Sequence, residues 1–226
     1  MILGILKKIL RGKKEIESNN LITDRYERQM YEDKKKNISY QKKSKIVSIF
    51  TKKWREKCKK EYVALDFETT GLDKVYDRII EIAAIRYVNN KEVEKFVTLV
   101  NPQMLIPLEA TKVNNINNFM VLRAPKEREA INSLINFLGD SLIVGHNVNF
   151  DIGFLEIAAQ RNGKNVEYRY IDTLSISRKL FPQLSNHKLG TIAKHLNLKA
   201  SKLHRAEADV RVCSEIINYT LNKIED

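Results

Sequence analysis

From residue 62 onward the apolar positions fall into short blocks separated by turn residues, and the first block sets the pattern. Residues 62–71 read Tyr-Val-Ala-Leu-Asp-Phe-Glu-Thr-Thr-Gly. Apolar and β-branched residues, no Pro and a closing Gly predict a strand. Strand alternation puts Val63, Leu65 and Phe67 on one face and Ala64, Asp66 and Glu68 on the other. Residues 78–89 carry Ile79, Ile80, Ile82, Ala83, Ile85, Tyr87 and Val88, a second strand signal. Asn89-Asn90 is a turn candidate, and a third strand over 93–100 completes a predicted hairpin. Asn101-Pro102 breaks the run, and a loop with Pro107 leads into short helical turns from Glu109. Pro125 suits the first turn of a helix through Leu138, with Ile131, Leu134, Ile135 and Leu138 on one face. Gly139-Asp140 ends that helix. A buried strand is expected over 141–145, a helix over 149–160 and a strand over 168–171. Helical stretches follow over 173–180, 188–196 and 205–224. Strands first, then strands alternating with helices, predict an α/β domain with a mixed sheet.

The first 60 residues follow a different pattern. Ile2, Leu3, Leu6, Ile9, Leu10 and Ile16 recur near helical spacing, with Lys7, Lys8, Arg11, Lys13 and Lys14 between them. This predicts a short basic amphipathic helix, whose apolar face has three open destinations: an anionic membrane surface, a protein partner, or the domain that follows. Residues 18–61 are polar and rich in lysine, which predicts a partly helical or flexible linker. Lysine runs attract phosphates without reading sequence, so a nucleic-acid tether and a plain solvated linker both stay open. The division expected is therefore a basic extension over 1–60 and a folded domain over 61–226.

Charge sharpens this division. Of the formal net charge of +12, residues 1–61 hold 19 Lys and Arg against 8 Asp and Glu, while residues 62–226 hold 21 against 20. Cys58 and Cys213 form no close-spaced pair, so neither a zinc site nor a disulfide framework is indicated. A reducing, cytoplasmic setting is the expectation. No apolar run approaches the ~18 residues that span a bilayer, and residues 1–10 lack a signal-peptide layout.

Asp66 and Glu68 on one strand face are two like charges that repel, and burial adds a desolvation cost unless they are protonated or share a cation. Carboxylate oxygens are the ligands that Mg²⁺ and Mn²⁺ prefer, whereas a solvated strand end is the simpler alternative. Three further residues complete a candidate site. Asp151 opens a helix after a buried strand, where sheet ends gather ligands. Asp209 lies in the last long helix, and His204 precedes it by five residues. Ala206 and Ala208 are small enough to let that helix approach the sheet.

Asp66-Phe67-Glu68-Thr69, His146-Asn147-x-x-Phe150-Asp151 and His204-x-x-x-x-Asp209 together resemble the DEDDh class of 3′-to-5′ exonucleases. Within that class the chain resembles the epsilon proofreading subunit of bacterial DNA polymerase III and the exonuclease domain of PolC-type polymerases. Asn186-His187-Lys188-Leu189-Gly190 and His204-Arg205-Ala206-Glu207-Ala208-Asp209 also look like that subgroup. The resemblance covers about residues 61–224. It implies a ribonuclease H-like fold, with a mixed five-stranded sheet flanked by helices, and a two-metal mechanism releasing nucleoside 5′-monophosphates from the 3′ end of single-stranded DNA. By matching position, Asp66, Glu68, Asp151 and Asp209 would hold two Mg²⁺ or Mn²⁺ ions, and His204 would be the general base. A replicative polymerase is the implied partner.

The remaining site residues carry open alternatives. Thr69, Thr70 and Gly71 are expected to present backbone N–H groups to the terminal nucleotide, with a plain turn as the alternative. Asn147 and Phe150 are candidates for positioning the substrate strand, Phe150 competing with a core role. His146 reads as a structural hydrogen-bonding residue, and His187 and His195 as surface or helix residues. Residues 103–108 superficially resemble a sliding-clamp peptide, although the family places such a segment inside the exonuclease domain. In Val113-Asn114-Asn115-Ile116 an Asn stands where the family usually has a Gly before the Ile. Trimming of RNA is an alternative activity. A nucleic-acid or membrane tether on an inactive scaffold is a second alternative.

Overall fold

The computed structural model describes residues 43–198 and 205–225. The amphipathic helix expected in the first 17 residues, most of the lysine-rich stretch and His204 lie outside the described residues. Among the described residues six strands form one mixed sheet: β1 Lys45–Ile46, β2 Glu61–Thr69, β3 Ile79–Val88, β4 Lys91–Leu99, β5 Ile143–Gly145 and β6 Arg169–Asp172, in the order β1-β6-β5-β2-β3-β4. The helices are α1 Lys52–Lys60, α2 Leu108–Asn114, α3 Asn118–Val121, α4 Glu127–Leu138, α5 Asn149–Arg161, α6 Thr173–Leu180, α7 Leu189–His195 and α8 Ala206–Glu225.

Strand β2 is the hinge of the topology, antiparallel to β3 on one side and parallel to β5 on the other. The β3–β4 hairpin closes through Asn89 and Asn90, with φ of 50° and 59°. Two consecutive left-handed residues match the twist of a tight hairpin, and Asn adopts that conformation at little cost. The alternation in β2 sorts the two cores as expected. Val63, Leu65 and Phe67 pack with Ile131 and Leu134 of α4 and Ile152 and Leu155 of α5. Tyr62 and Ala64 pack with Ala83 and Ile85 of β3 and Val210, Ile216 and Ile217 of α8.

The sheet has six strands rather than the expected five. Lys45 and Val47 donate their N–H groups to the carbonyls of Tyr168 and Tyr170 at 2.8 Å each, adding a parallel edge. Buried Glu156 fixes this edge by accepting from the Ser44 N–H at 2.8 Å, while the Ser44 hydroxyl accepts from Tyr168 N–H at 2.9 Å. Helix α1 follows and buries Cys58, and Ile49 joins the same core. A two-residue strand has no hydrophobic period to betray it. Pro125 also sits just ahead of α4 rather than in its first turn, because its carbonyl accepts from Asn101 N–H at 2.9 Å and Lys126 is the N-cap.

Residues 102–124 form an excursion held down by a small cluster of Ile80, Ile106, Ile116 and Val121. Within the clamp-like stretch Ile106 is buried, and its N–H donates to Asn118 Oδ1 at 2.9 Å, which anchors that stretch to its own domain. Among the described residues no helix is long and apolar enough to cross a membrane.

Candidate active site

The carboxylates gather where β2 ends. Asp66 and Glu68 point to the face covered by α8, and one oxygen from each lies within 4.8 Å of the others and of an Asp209 oxygen. Asp209 reaches this point because Ala206 and Val210, one turn apart, are fully buried against the sheet. The small side chain expected at 206 does permit that approach. Asp151 arrives from the first turn of α5, and its Oδ1 accepts the N–H of Phe67 at 3.0 Å. The turn from β5 into α5 runs tight against β2: a Cβ on Gly145 would lie 2.7 Å from the Leu65 carbonyl oxygen. A register shift between Glu68 and Thr69 lets the chain leave the sheet immediately after the two acids.

Crowding controls the protonation of these groups. Burial is the largest influence on Asp66 and holds its carboxyl well above the usual range, with the charges of Asp151, Asp209, Glu68 and Glu81 adding to it. Burial, then Asp209 and Glu81, push Glu68 up to about 7, against the opposing pull of Arg205 and a hydrogen bond from Asn114. Asp151 is raised to about 8 by burial, although the Phe67 N–H favours its ionised form. Such a cluster takes up protons or a cation. Half-buried acids with one oxygen each converging on a common point suit a hard divalent ion.

The loop after β2 is organised by Asp77. Thr70 Oγ1 donates to Asp77 Oδ1 at 2.9 Å, and the Asp73 N–H donates to Asp77 Oδ2 at 2.8 Å. A Cβ on Gly71 would fall 2.5 Å from Asp77 Oδ2, so a larger residue there would displace the carboxylate that organises the loop. Thr70 also donates its own N–H to the Arg78 carbonyl at 2.9 Å, so both its donors are used within the loop. Thr69 Oγ1 donates to the Gly71 carbonyl at 2.6 Å. Arg161 of α5 clamps this loop by donating to the carbonyls of Lys74 and Val75 while pairing with Glu127 at 2.6 Å. Beside it lies a cleft of about 510 Å³ lined by Leu72, Lys74, Asn147, Phe150 and Phe154 among others. Asn147 faces it from a left-handed backbone with φ of 54°, fixed by its N–H donating to Asp172 Oδ1 at 2.8 Å. Phe150 is half-buried, with its ring 4.8 Å from that of Phe154, so it serves both core and cleft.

His146 is structural, as its sequence context suggests. Its Nε2 donates to the His187 carbonyl at 2.8 Å, and Nδ1 lies 3.0 Å from Thr173 Oγ1. Burial lowers its pKa, which favours a neutral ring. His187 Nδ1 sits 3.3 Å from Ser177 Oγ, and His195 packs edge-on against Phe181. Among the described residues, neither belongs to the group of Asp66, Glu68 and Asp209 whose oxygens converge.

Four residues escaped the sequence reading. Glu81 is buried directly opposite Glu68 in the β2–β3 register and is paired with Arg205. Asn114 is buried beside Glu68. Asp77 builds the loop. Glu81 lies in the middle of an apolar strand block, a place where a charged residue is informative; Asn114 and Asp77 carry no comparable sequence signal.

Residues 63–217 match the exonuclease family model RNase_T. The chain is 39% identical over 166 residues to the PolC-type DNA polymerase III of Caldanaerobacter subterraneus subsp. tengcongensis, covering 74% of this chain and 12% of that one. It is 40% identical over 166 residues to the PolC-type enzyme of Latilactobacillus sakei, covering 73% and 11%. The chain thus spans only a small part of these polymerases. Among solved structures, the zinc-bound exonuclease I–single-stranded DNA complex of E. coli superposes with a TM-score of 0.65 at 21% identity, over 74% of this chain and 42% of that one. The same enzyme with a dT13 oligonucleotide gives 0.62 at 21% identity, over 72% and 40%. At that identity the likeness concerns the fold, which is ribonuclease H-like.

Proposed function

The chain belongs to the RNase_T exonuclease family, and on that premise we propose that it is a metal-dependent 3′-to-5′ exonuclease acting on single-stranded DNA. The observation that carries this reading is the convergence of Asp66, Glu68 and Asp209 on one point, with Asp151 hydrogen-bonded to the strand between the first two. Two Mg²⁺ or Mn²⁺ ions are the fitting occupants, because the donor set is all carboxylate and its charges need compensation. When bound, divalent cations supply electrostatic stabilisation of the attacking and leaving oxygens in an in-line phosphodiester displacement.

The chain's own residues do the rest. Asp66, Glu68, Asp151 and Asp209 act as a rigid acidic cradle, ordered by the sheet and two helices before substrate arrives. Asn147 and Phe150 line the cleft that takes the terminal nucleotide. The backbone N–H groups of Thr69 and Gly71 offer the loop contacts to it, since both donors of Thr70 and the hydroxyl of Thr69 are already engaged. His204 accepts the proton of the attacking water, a role suited to a group that titrates near neutrality. Water attacks phosphorus, the bond to the 3′ oxygen of the preceding nucleotide breaks, and a nucleoside 5′-monophosphate leaves. The PolC relatives suggest a proofreading role beside a replicative polymerase.

The test uses purified protein with 3′-labelled single-stranded DNA or RNA of the same sequence, in Mg²⁺, Mn²⁺ or chelator. Labelled mononucleotide released from DNA only with metal is the expected result. No release in any metal overturns the enzyme reading, and release from RNA alone overturns the DNA reading.

A further inference from the structure

Glu68 and Glu81 are direct partners across β2 and β3, an arrangement that like charges disfavour. Arg205 resolves it. Its Nε donates to Glu81 Oε1 and Oε2 at 3.1 and 3.0 Å, its Nη2 donates to Oε1 as well, and its charge also acts on Glu68. Glu81 is only 3% exposed, so this carboxylate is deeply desolvated and depends on its partner. Glu81 Oε2 accepts a second donor, the N–H of Ala206 at 3.1 Å. That N–H opens α8 and is one of the donors a helix start leaves without an internal partner. Arg205 is the residue on which the helix begins: its carbonyl accepts from Ala208 N–H at 2.9 Å and from Asp209 N–H at 3.2 Å. One buried carboxylate on the sheet therefore grips both the side chain of Arg205 and the first amide of α8. The backbone amide of Asp209 is bonded to the gripped residue, and His204 is its chain neighbour.

We propose that Glu81 and Arg205 form a positioning clamp that locks the start of α8 to the sheet, sets where Asp209 stands relative to Asp66 and Glu68, and supplies the counter-charge that lets two glutamates share adjacent strands. The clamp acts through the backbone of α8, to whose first amides it is bonded. This inference rests on the nuclease reading for its kinetic consequence, but its structural consequence is measurable in the metal-free protein.

Three variants test it: Glu81→Gln, which keeps the shape and removes the charge, Arg205→Lys, which keeps the charge without the fork, and Arg205→Ala. Amide hydrogen exchange in the metal-free full chain should accelerate roughly tenfold or more in peptides covering 205–212 of Glu81→Gln, with the rest of α8 unchanged. Displacement of a catalytic group by about an ångström costs roughly a hundredfold, so kcat should fall by that order while KM stays within about twofold. Added guanidinium should restore part of the kcat of Arg205→Ala, and Arg205→Lys should remain impaired. Unchanged exchange at 205–212 overturns the clamp. So does kcat at the wild-type level, or a loss matched by global unfolding that guanidinium does not relieve. A wild-type protein inactive in every metal overturns the nuclease reading instead, and the exchange measurement then decides the clamp alone.

Discussion

The backbone N–H of Phe67 donates to Asp151 Oδ1 at 3.0 Å, so the helix acid is fastened to the very residue that separates the two strand acids. This bond needs an oxygen at that position but not a charge. Asp151→Asn should therefore keep the fold, match wild-type stability without metal near neutral pH and exceed it above about pH 8, where the native carboxyl would carry a buried charge, and lose cleavage. Asp151→Ala also loses the bond and should be less stable than Asp151→Asn by about 1–2 kcal/mol. Chemical denaturation of both variants in chelator checks the order.

The raised carboxyls make metal-free stability depend on pH in an unusual direction. Glu68 and Asp151 are held at about 7 and about 8 in the fold, mainly by burial, and return to roughly 4 when the chain unfolds. Between those values the unfolded chain binds fewer protons, so stability falls as pH rises. The contribution is fully present below the unfolded values and is lost as pH climbs through 7 to 8. In chelator the Tm should drop by roughly 3 °C or more between slightly acidic and slightly alkaline buffer, and added Mn²⁺ should remove most of that drop. Calorimetry across the range, with and without metal, reads both effects.

Asn115 ends α2 in a left-handed conformation, φ 59° and ψ 22°, a backbone that Gly or Asn takes up at little cost. Asn115→Gly should be nearly neutral and Asn115→Ala should cost about 1 kcal/mol. The neighbouring Asn114 acts differently, since it bonds Glu68 and its Oδ1 accepts from Ile116 N–H at 2.9 Å. Asn114→Ala should lower kcat by roughly tenfold and stability by about 1–2 kcal/mol. Thermal melts and initial rates separate the two positions.

The histidines divide by role. His146 has both ring nitrogens engaged by Thr173 and His187, so His146→Gln should reduce stability and leave the shape of the pH–rate profile intact. His204→Gln should cost roughly 10²–10⁴ in kcat and flatten the acidic limb of the profile. An unchanged profile in His204→Gln would remove it as the general base.

The sequence made β2 legible because its face alternation and its paired acids are periodic signals, and both cores formed on the faces that alternation assigns. Asp151 and Asp209 were recognisable through their neighbours. What stayed hidden were features made by distance in the chain: the edge strand formed by Lys45–Ile46, too short to carry a period, and the Glu81–Arg205 pair, whose members are 124 residues apart. Asp77 stayed hidden as well, because a loop acid that bonds backbone and hydroxyl groups leaves no pattern.

If the β2 acids work as metal ligands, Asp66 is the one to remove, because its carboxyl feels Asp151, Asp209, Glu68 and Glu81 together. A metal contributes several kcal/mol to such a reaction, which is a factor of roughly a thousand or more in rate. The decisive measurement is mononucleotide release from 3′-labelled single-stranded DNA by Asp66→Ala and wild type side by side in Mg²⁺ and in Mn²⁺. Wild type should release mononucleotide rapidly, and the folded variant should lose at least that order of rate in both metals. Wild-type rates from Asp66→Ala would contradict the metal-ligand role.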